Sequence, residues 1–196
     1  VDISEVNSRD EAFGYADRFD EKYDLVRTLR KGRFEYVRSY QPFNFDGLQN
    51  NYRYKMLAYA EWRDLYRVGR LNAVQRRFFE RRPPEALYDI ENDPYETKNL
   101  AGDPAHAKTL ADLRRRLTKI VKELPDLSLY PESMLIEEAF KSPVTFGRTH
   151  QDATARLVDI ADLCLLPFTE AREGIEAALE SRNPWERYWG LIACSS

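Results

Sequence analysis

Residues 85–101 read Glu-Ala-Leu-Tyr-Asp-Ile-Glu-Asn-Asp-Pro-Tyr-Glu-Thr-Lys-Asn-Leu-Ala and contain the most informative pattern in the chain. Residues 86–90 form a short apolar run with Tyr and Ile, which is typical of a β-strand. The Asn-Asp-Pro at 92–94 ends the strand, because Pro fixes φ and removes a hydrogen-bond donor while Asn and Asp favour turns. The stretch therefore predicts a strand followed by a turn.

A helix is predicted directly after this turn. Asp103 precedes Pro104, which places an N-cap residue before a proline at the first helical position. Apolar residues then recur at helical spacing: Leu110, Leu113, Leu117, Ile120, Val121 and Leu124. We therefore expect an amphipathic helix over residues 103–124. Its three consecutive arginines at 114–116 suggest either a nucleic-acid contact or a solvated helix face, and the slightly acidic chain favours the solvated face.

The composition bounds the class of protein. The chain has 196 residues, a net charge of -3, 43% hydrophobic and 32% charged residues, which is enough for one or two domains with real cores. No apolar run approaches the roughly 20 residues that a membrane helix needs. The chain begins at Val1 without a signal peptide, and it ends at Ser196 without a helix stop signal. We therefore expect it to be part of a longer protein.

Cysteine and histidine offer little chemistry. Cys164 and Cys194 each lie in an apolar helical pattern, so we expect both to be small buried hydrophobic residues, with a disulfide as the alternative. His106 and His150 are far from both cysteines in sequence, so a metal site is not expected and both histidines are predicted to lie at the surface.

The remaining segments alternate between strands, loops and helices. Before residue 85 we predict, in order, an irregular polar stretch over 1–20, strands over 24–30 and 33–40 joined by a Lys31-Gly32 hairpin turn, a loop over 41–51, and helices over 52–68 and 71–80. After residue 127 we predict a connector over 128–148 with one short helix at 132–141, and then helices over 152–165, 169–180 and from Asn183 onward.

The last helices suggest a repeat architecture. Residues 168–194 resemble one HEAT-like repeat, with a helix, a tight Asn-Pro turn and an arginine, Arg187, in the second helix. An ordinary helical hairpin is the alternative. A HEAT-like hairpin buries its apolar surface against both neighbours, so residues 168–196 are expected either to self-associate or to leave an exposed apolar edge.

Three stretches together resemble the C-terminal part of type I sulfatases. Residues 85–101 resemble the family's Glu-Leu-Tyr-Asp-Leu-x-x-Asp-Pro-x-Glu-x-x-Asn-Leu-Ala. Residues 18–30, Arg-Phe-Asp-Glu-Lys-Tyr-Asp-Leu-Val-Arg-Thr-Leu-Arg, resemble its Asp-Glu-Arg-Tyr-Asp-x-Val-Arg-Thr-Val-Arg. Residues 32–40, Gly-Arg-Phe-Glu-Tyr-Val-Arg-Ser-Tyr, resemble its Arg-Tyr-x-Tyr-Ile-Arg-Asn-Tyr. The resemblance is strongest to the bacterial heparan N-sulfatase (sulfamidase-like) branch, and it covers residues 10–127 closely and the rest loosely.

The resemblance implies an α+β fold and a division into domains. It implies a small antiparallel sheet packed with a long helix as the sulfatase C-terminal subdomain, over residues 1–127. The connector would then occupy 128–148, and an all-α HEAT-like helical region would occupy 149–196.

The family's catalytic groups are not expected in this chain. Type I sulfatases hydrolyse sulfate esters or sulfamates with a formylglycine, made from the first residue of a Cys/Ser-x-Pro/Ala-x-Arg motif, and with a calcium ion held by Asp and Asn. Cys164 is followed by Leu-Leu-Pro and Cys194 by Ser-Ser, so neither cysteine fits. No catalytic residue, metal ligand or cofactor site is therefore predicted here, and the formylglycine and calcium would belong to an N-terminal catalytic domain of the longer protein.

The resemblance does point to a substrate-contacting loop. In the sulfamidase-like branch, the loop that feeds this sheet approaches the mouth of the active site and contributes to sugar selection. Arg18, Asp20, Glu21 and Lys22 occupy this loop, and arginine suits carboxylate or sulfate while acidic residues suit sugar hydroxyls. A solvated polar loop with weak internal ion pairs is the alternative.

Two function classes remain open from the sequence. In the first, the chain is the C-terminal portion of a sulfatase that completes the fold and shapes the pocket for a sulfated sugar or ester. In the second, it is a non-catalytic helical-repeat module for protein interaction. A small independent hydrolase has no nucleophile–base pair in its favour. Neither reading expects a nucleic acid or a membrane span, and the first is compatible with a periplasmic or secreted parent protein.

Overall fold

The computed structural model describes residues 10–18 and 21–195. These residues form two compact units, Val1–Ala107 and Lys108–Ser196. The first unit contains a four-stranded antiparallel sheet with strand order β1-β2-β3-β4, and the second contains helices. The predicted α+β class is confirmed, while the expected domain boundaries at 127 and 148 and the packing of the long helix on the sheet stay predictions.

The central hairpin of the sheet joins β2 (Val26–Lys31) to β3 (Phe34–Ser39). Lys31 pairs with Phe34, so the turn is Gly32-Arg33 and not the predicted Lys31-Gly32. Gly32 has φ +57°, a conformation that costs little only for glycine, and glycine at the first turn position suits a type II′ turn. Lys31 therefore stays in the hydrogen-bond ladder and the turn moves by one residue.

One face of the sheet carries its apolar core. Leu29, Tyr36 and Leu87 lie side by side in register on β2, β3 and β4 (Glu85–Asp89), and each is at most 1% exposed. The same face buries Arg38, whose Nη1 donates to the carbonyl oxygens of Ser39 at 2.5 Å and Pro84 at 3.1 Å. Tyr36 and Arg38 share this face because they lie two residues apart on one strand.

The first strand was not predicted from the sequence. Strand β1 (Glu11–Ala16) pairs antiparallel with β2, where residues 1–20 had been expected to be irregular. As an edge strand it has one neighbour, and it leaves Phe13 39% and Tyr15 73% exposed. An edge strand that buries so little carries only a weak apolar alternation, which explains why the prediction was wrong here.

The stretch that follows β4 is fixed by local side-chain hydrogen bonds. Asp89 accepts from the Asn92 amide nitrogen Nδ2 at 2.9 Å, and Asp93 accepts from the Lys98 backbone amide at 2.7 Å. The Asn99 side chain then accepts from the Leu87 backbone amide at 3.0 Å, so this amide on the open edge of β4 has a hydrogen-bond partner. These bonds lower the pKa of both aspartates, through Asn92 for Asp89 and through the Lys98 amide for Asp93. Residues 89–99 therefore form a turn that is held in place by its own hydrogen bonds.

Three short helices complete the first unit. They are α1 (Asn51–Tyr54), α2 (Leu57–Arg67) and α3 (Ala73–Arg76), and a 3₁₀ turn, Arg77–Phe79, follows α3. The predicted helix over 52–68 is interrupted between α1 and α2. Gly69, with φ +70°, ends α2: its amide donates to the Tyr66 carbonyl oxygen, and the Arg70 amide donates to that of Leu65, which together form a Schellman motif.

The remaining helices are α4 (Ala107–Glu123), α5 (Glu132–Met134), which continues into a π-helical turn (Leu135–Ala139), α6 (Pro143–Thr149), α7 (Gln151–Asp162), α8 (Phe168–Leu179) and α9 (Pro184–Cys194). Leu113 and Leu117 of α4 are buried, as the helical stripe predicted. Helix α6 had been assigned to the connector. The Asn183 side chain accepts from the Trp185 amide at 2.9 Å, which confirms the predicted N-cap of α9. No described helix is both long and apolar enough to cross a membrane.

The second unit has its core where α7, α8 and α9 meet. Trp189 is 1% exposed, and its indole Nε1 donates to the carbonyl oxygen of Leu129 at 2.8 Å. Ala171, Ile175 and Ala193 pack together, with the half-buried Cys164 against them. Cys194 is exposed at the end of α9, so its predicted burial is wrong, and neither cysteine forms a disulfide.

Part of the predicted apolar edge is exposed in this unit. Trp189 and Ile192 face inward, whereas Leu166, Phe168 and Leu191 are 43%, 66% and 61% exposed. Self-association through residues 168–196 therefore stays a prediction that rests on the exposed residues.

Candidate functional site

A groove of about 670 Å³ runs over the second face of the sheet, opposite Leu29 and Tyr36. Its floor consists of outward-facing strand residues, including Thr28 and Val37, which are paired in register. Charged side chains form its wall: Lys22, Asp24, Glu35, Asp46, Arg77, Glu80, Arg81, Arg82 and Glu96. We call it the sheet groove, and Lys22 is the predicted site residue that lines it.

Four of these charged groups form one ion-pair cluster. Arg82 holds Asp24 through two bonds, Nη2 to Oδ1 at 2.5 Å and Nη1 to Oδ2 at 2.8 Å. Arg82 Nη1 also lies 3.4 Å from Asp46 Oδ1. The side chains of Asp24 and Arg82 are only 7% and 18% exposed, so this pair is shielded from water and screened less than a surface pair. The cluster therefore gives the groove a fixed wall.

The two aspartates of this cluster hold Lys22 in place without accepting hydrogen bonds from its ammonium group. Its Nζ lies 3.6 Å from Asp24 Oδ2 and 3.8 Å from Asp46 Oδ1, which is within ion-pair range and beyond hydrogen-bond length. An ammonium group carries three donors, so Lys22 keeps donors for a ligand in the groove. An oxyanion such as sulfate is the kind of ligand that such a held cation suits.

Glu21 has a different role from the one predicted for it. Its carboxylate accepts from the backbone amide of Asn51, at the start of α1. This hydrogen bond holds the pKa of Glu21 below its ordinary value. Glu21 thus ties the loop before β2 to α1 through its Oε1 atom.

Of the other two predicted residues, the structure describes only Arg18, which is not among the residues that line the groove. Arg18 is exposed and follows Asp17, whose Oδ1 accepts from the buried Arg27 at 2.7 Å. Asp20 lies outside the described residues. The predicted contact of all four residues with substrate therefore stays a prediction, and Lys22 has the geometry that favours it.

Sequence reasoning missed most of the groove. Arg82 lies 58 residues after Asp24 and outside every element predicted from the sequence. Asp46 lies in a stretch assigned to a loop. No periodicity or motif links these positions, so only the folded chain identifies them.

A carboxylate pair adds negative charge to the groove. Burial raises the pKa of Glu96, and the neighbouring Glu35 and Asp93 raise it further. Burial also raises the pKa of Tyr88, with Glu96 contributing. Both effects disfavour the ionised forms of Glu96 and Tyr88.

Replacing Glu96 with glutamine should raise the melting temperature at neutral pH. A carboxyl group whose pKa is higher in the folded than in the unfolded state destabilises the fold as pH rises through that raised value. The gain should therefore be present at pH 7.5 and shrink towards pH 4. Thermal unfolding of both proteins at each pH measures it, with Glu91→Gln, a glutamate that does not line the groove, as the control. A gain that does not change with pH would contradict this account.

The described residues do not provide a calcium site. Across residues 10–18 and 21–195, no three His, Cys, Asp or Glu side chains come together as they would to hold a metal ion. Asp24 and Asp46, the two acidic groups of the ion-pair cluster, are each paired with Arg82 and Lys22. Calcium needs six to eight oxygen ligands, so these aspartates do not fit it.

Comparison with known proteins relates the chain to sulfatases. A similar protein is the ulvan-active sulfatase of Formosa agariphila, which is 36% identical to this chain over 131 residues. The match covers 66% of this chain and 22% of the relative, so the chain spans less than a quarter of that protein's length. No family model matches the chain.

Proposed function

We propose that the chain is the C-terminal portion of a type I sulfatase of the sulfamidase-like branch, in which it completes the fold and shapes the substrate pocket. The match to the ulvan-active sulfatase carries the proposal. The strand, turn and helix of residues 85–123 and the hairpin of β2 and β3 support it, because they follow the order that the resemblance implies.

The nucleophile of this enzyme would lie in another part of the protein. No cysteine or serine among the 196 residues stands in a Cys/Ser-x-Pro/Ala-x-Arg motif. The formylglycine and the calcium ion would then come from the N-terminal catalytic domain, which would be the chain's main partner. Residues of this chain would act on substrate by binding and orienting a sulfated sugar or ester, with Lys22 in the sheet groove as the first candidate.

The helical region is proposed to serve as an interaction surface. Helices α8 and α9 form a hairpin that packs on α7, and Phe168 and Leu191 remain exposed on it. This arrangement is compatible with one HEAT-like repeat that adds to a neighbouring repeat or to a second copy. An ordinary helical hairpin would present the same elements, so the repeat remains part of the proposal.

The activity assay has two arms. The 196-residue chain with calcium and an aryl sulfate or sulfamate should show only the uncatalysed rate. The longer protein should turn the substrate over, and Lys22→Met in it should raise KM by about tenfold with a smaller effect on kcat, since Lys22 would bind substrate and not react.

A second lysine variant controls for the loss of a positive charge outside the sheet groove. Lys31→Met changes an exposed lysine on β2 outside the groove and should leave KM unchanged. Turnover by the 196-residue chain that a mutation in it abolishes would overturn the proposal. A longer protein without the formylglycine motif would do the same.

A further inference from the structure

A second cavity of the first unit has no role in the proposed function. It has a volume of about 240 Å³ and lies between the loop before α1 and helix α2. Its walls include Phe45, Gln49, Tyr54, Arg63, Tyr66 and Arg67. We call it the aromatic–arginine pocket, because aromatic rings and two guanidinium groups dominate it.

The Arg63 guanidinium group lies over an aromatic ring in this pocket and makes few hydrogen bonds. Its Cζ lies 4.1 Å from the centre of the Tyr54 ring, and its Nη1 donates to Gln49 Oε1 over a long 3.3 Å. Its Nε is buried and has no hydrogen-bond partner among the described residues. Buried donors without partners are rare in proteins, so the guanidinium group has unused capacity for an acceptor.

The neighbouring side chains keep this geometry fixed. The Tyr54 hydroxyl donates to the carbonyl oxygen of Gly47 at 2.5 Å, and burial raises its pKa, so it remains a neutral donor. The Tyr66 ring stacks on Phe79 at 4.7 Å. Arg67, whose side chain is 63% exposed, adds a second positive charge at the entrance, with Asp64 at 3.4 Å as a weak partner.

These features define the chemistry of a ligand. A planar guanidinium group with free donors binds carboxylate or sulfate in two-pronged geometry. Aromatic faces pack against the apolar C–H face of a pyranose ring, and the Gln49 amide can bond a hydroxyl group. The volume lies below the roughly 300–1,000 Å³ of pockets for drug-sized ligands, so it suits a single sugar unit.

We propose that the aromatic–arginine pocket binds one pyranose unit that carries an oxyanion, either a carboxylate or a sulfate group. Arg63 and Arg67 contact the oxyanion, and Tyr66 and Phe45 pack on the ring. All residues of the pocket belong to this chain. Sugar binding can therefore be measured without the sulfatase activity proposed above, and either result can hold without the other. The site would hold a sugar residue and not the reacting bond.

Isothermal titration calorimetry of the 196-residue chain tests this with four probes: glucuronate, glucose 6-sulfate, glucose and inorganic sulfate. Glucuronate or glucose 6-sulfate should bind at least about tenfold more tightly than glucose and inorganic sulfate, since only the charged sugars engage both the arginines and the rings. The stronger of these two identifies the oxyanion as carboxylate or sulfate.

Three arginine variants test whether the charged sugar binds in the aromatic–arginine pocket. Arg63→Met should weaken binding of the charged sugar at least about tenfold, and Arg67→Met, at an exposed position that folding does not require, should weaken it several-fold. Arg70→Met, an exposed arginine just after α2, should change nothing. Equal affinity for inorganic sulfate and the charged sugars would overturn the proposal. Binding that survives both pocket variants, or no binding of either charged sugar, would also overturn it.

Discussion

Replacing Trp189 with alanine should lower the free energy of unfolding of the second unit by about 3–5 kcal/mol. The side chain is 1% exposed in the core of α7, α8 and α9, so its removal leaves a large cavity. The change also leaves the carbonyl oxygen of Leu129 without the indole donor that lies 2.8 Å away. Urea unfolding followed by far-UV circular dichroism measures the loss.

Two further variants separate the contributions at this position. Trp189→Phe keeps most of the volume and removes the donor, so its cost should fall to about 1–3 kcal/mol, the cost of an unsatisfied buried acceptor. Trp185→Ala, at a half-buried position on the same helix, should cost less than Trp189→Ala. A loss below about 1 kcal/mol in Trp189→Ala would show that this side chain contributes little to the stability of the core.

Replacing Arg82 with alanine should cost the first unit about 3–5 kcal/mol. The carboxylate of Asp24 is buried and would lose a partner that contacts both of its oxygens, at 2.5 Å and 2.8 Å. Lys22 Nζ, 3.6 Å away, offers only a weak substitute, and the Leu25 amide at 2.9 Å remains. Removing one member of a shielded pair leaves a charge that water cannot reach, which explains the size of the effect.

The double variant distinguishes a lost ion pair from a general disruption. Asp24→Asn combined with Arg82→Gln removes both charges and should recover a large part of the loss, because no buried charge is left without a partner. Arg81→Ala, at the exposed neighbouring position, should change stability by no more than about 0.5 kcal/mol. If Arg82→Ala costs as little as Arg81→Ala, the pair is open to solvent and the groove wall is not fixed by it.

The parts of the fold that were predictable are those held by local rules. The alternation in β3, the helical stripe of α4 and the N-caps at Asp103 and Asn183 follow from residues a few positions apart. The errors arose where the local signal is weak. Strand β1 lies at an exposed edge, and the turn after β2 moved by one residue because Gly32 takes the left-handed position.

The candidate sites were far less predictable. A charged loop around Lys22 was visible in the sequence, but its charge signs alone did not show which residue faces a ligand. The folded chain turns Glu21 towards the amide of Asn51 and leaves Lys22 beside the groove. The aromatic–arginine pocket had no sequence signal at all, since its helix shows an ordinary mixture of aromatic and charged residues.

Local patterns were enough to predict three of the four strands, several caps and the relationship to sulfatases, because backbone hydrogen bonds and side-chain periodicity depend on near neighbours. Which charged groups meet depends on the folded chain. Arg82 finds Asp24 across 58 residues, and Arg63 reaches Tyr54 and Gln49 through the packing of α2 on the preceding loop. Such contacts depend on how the whole unit closes, and the energy of a charge depends on the burial that this closure gives it.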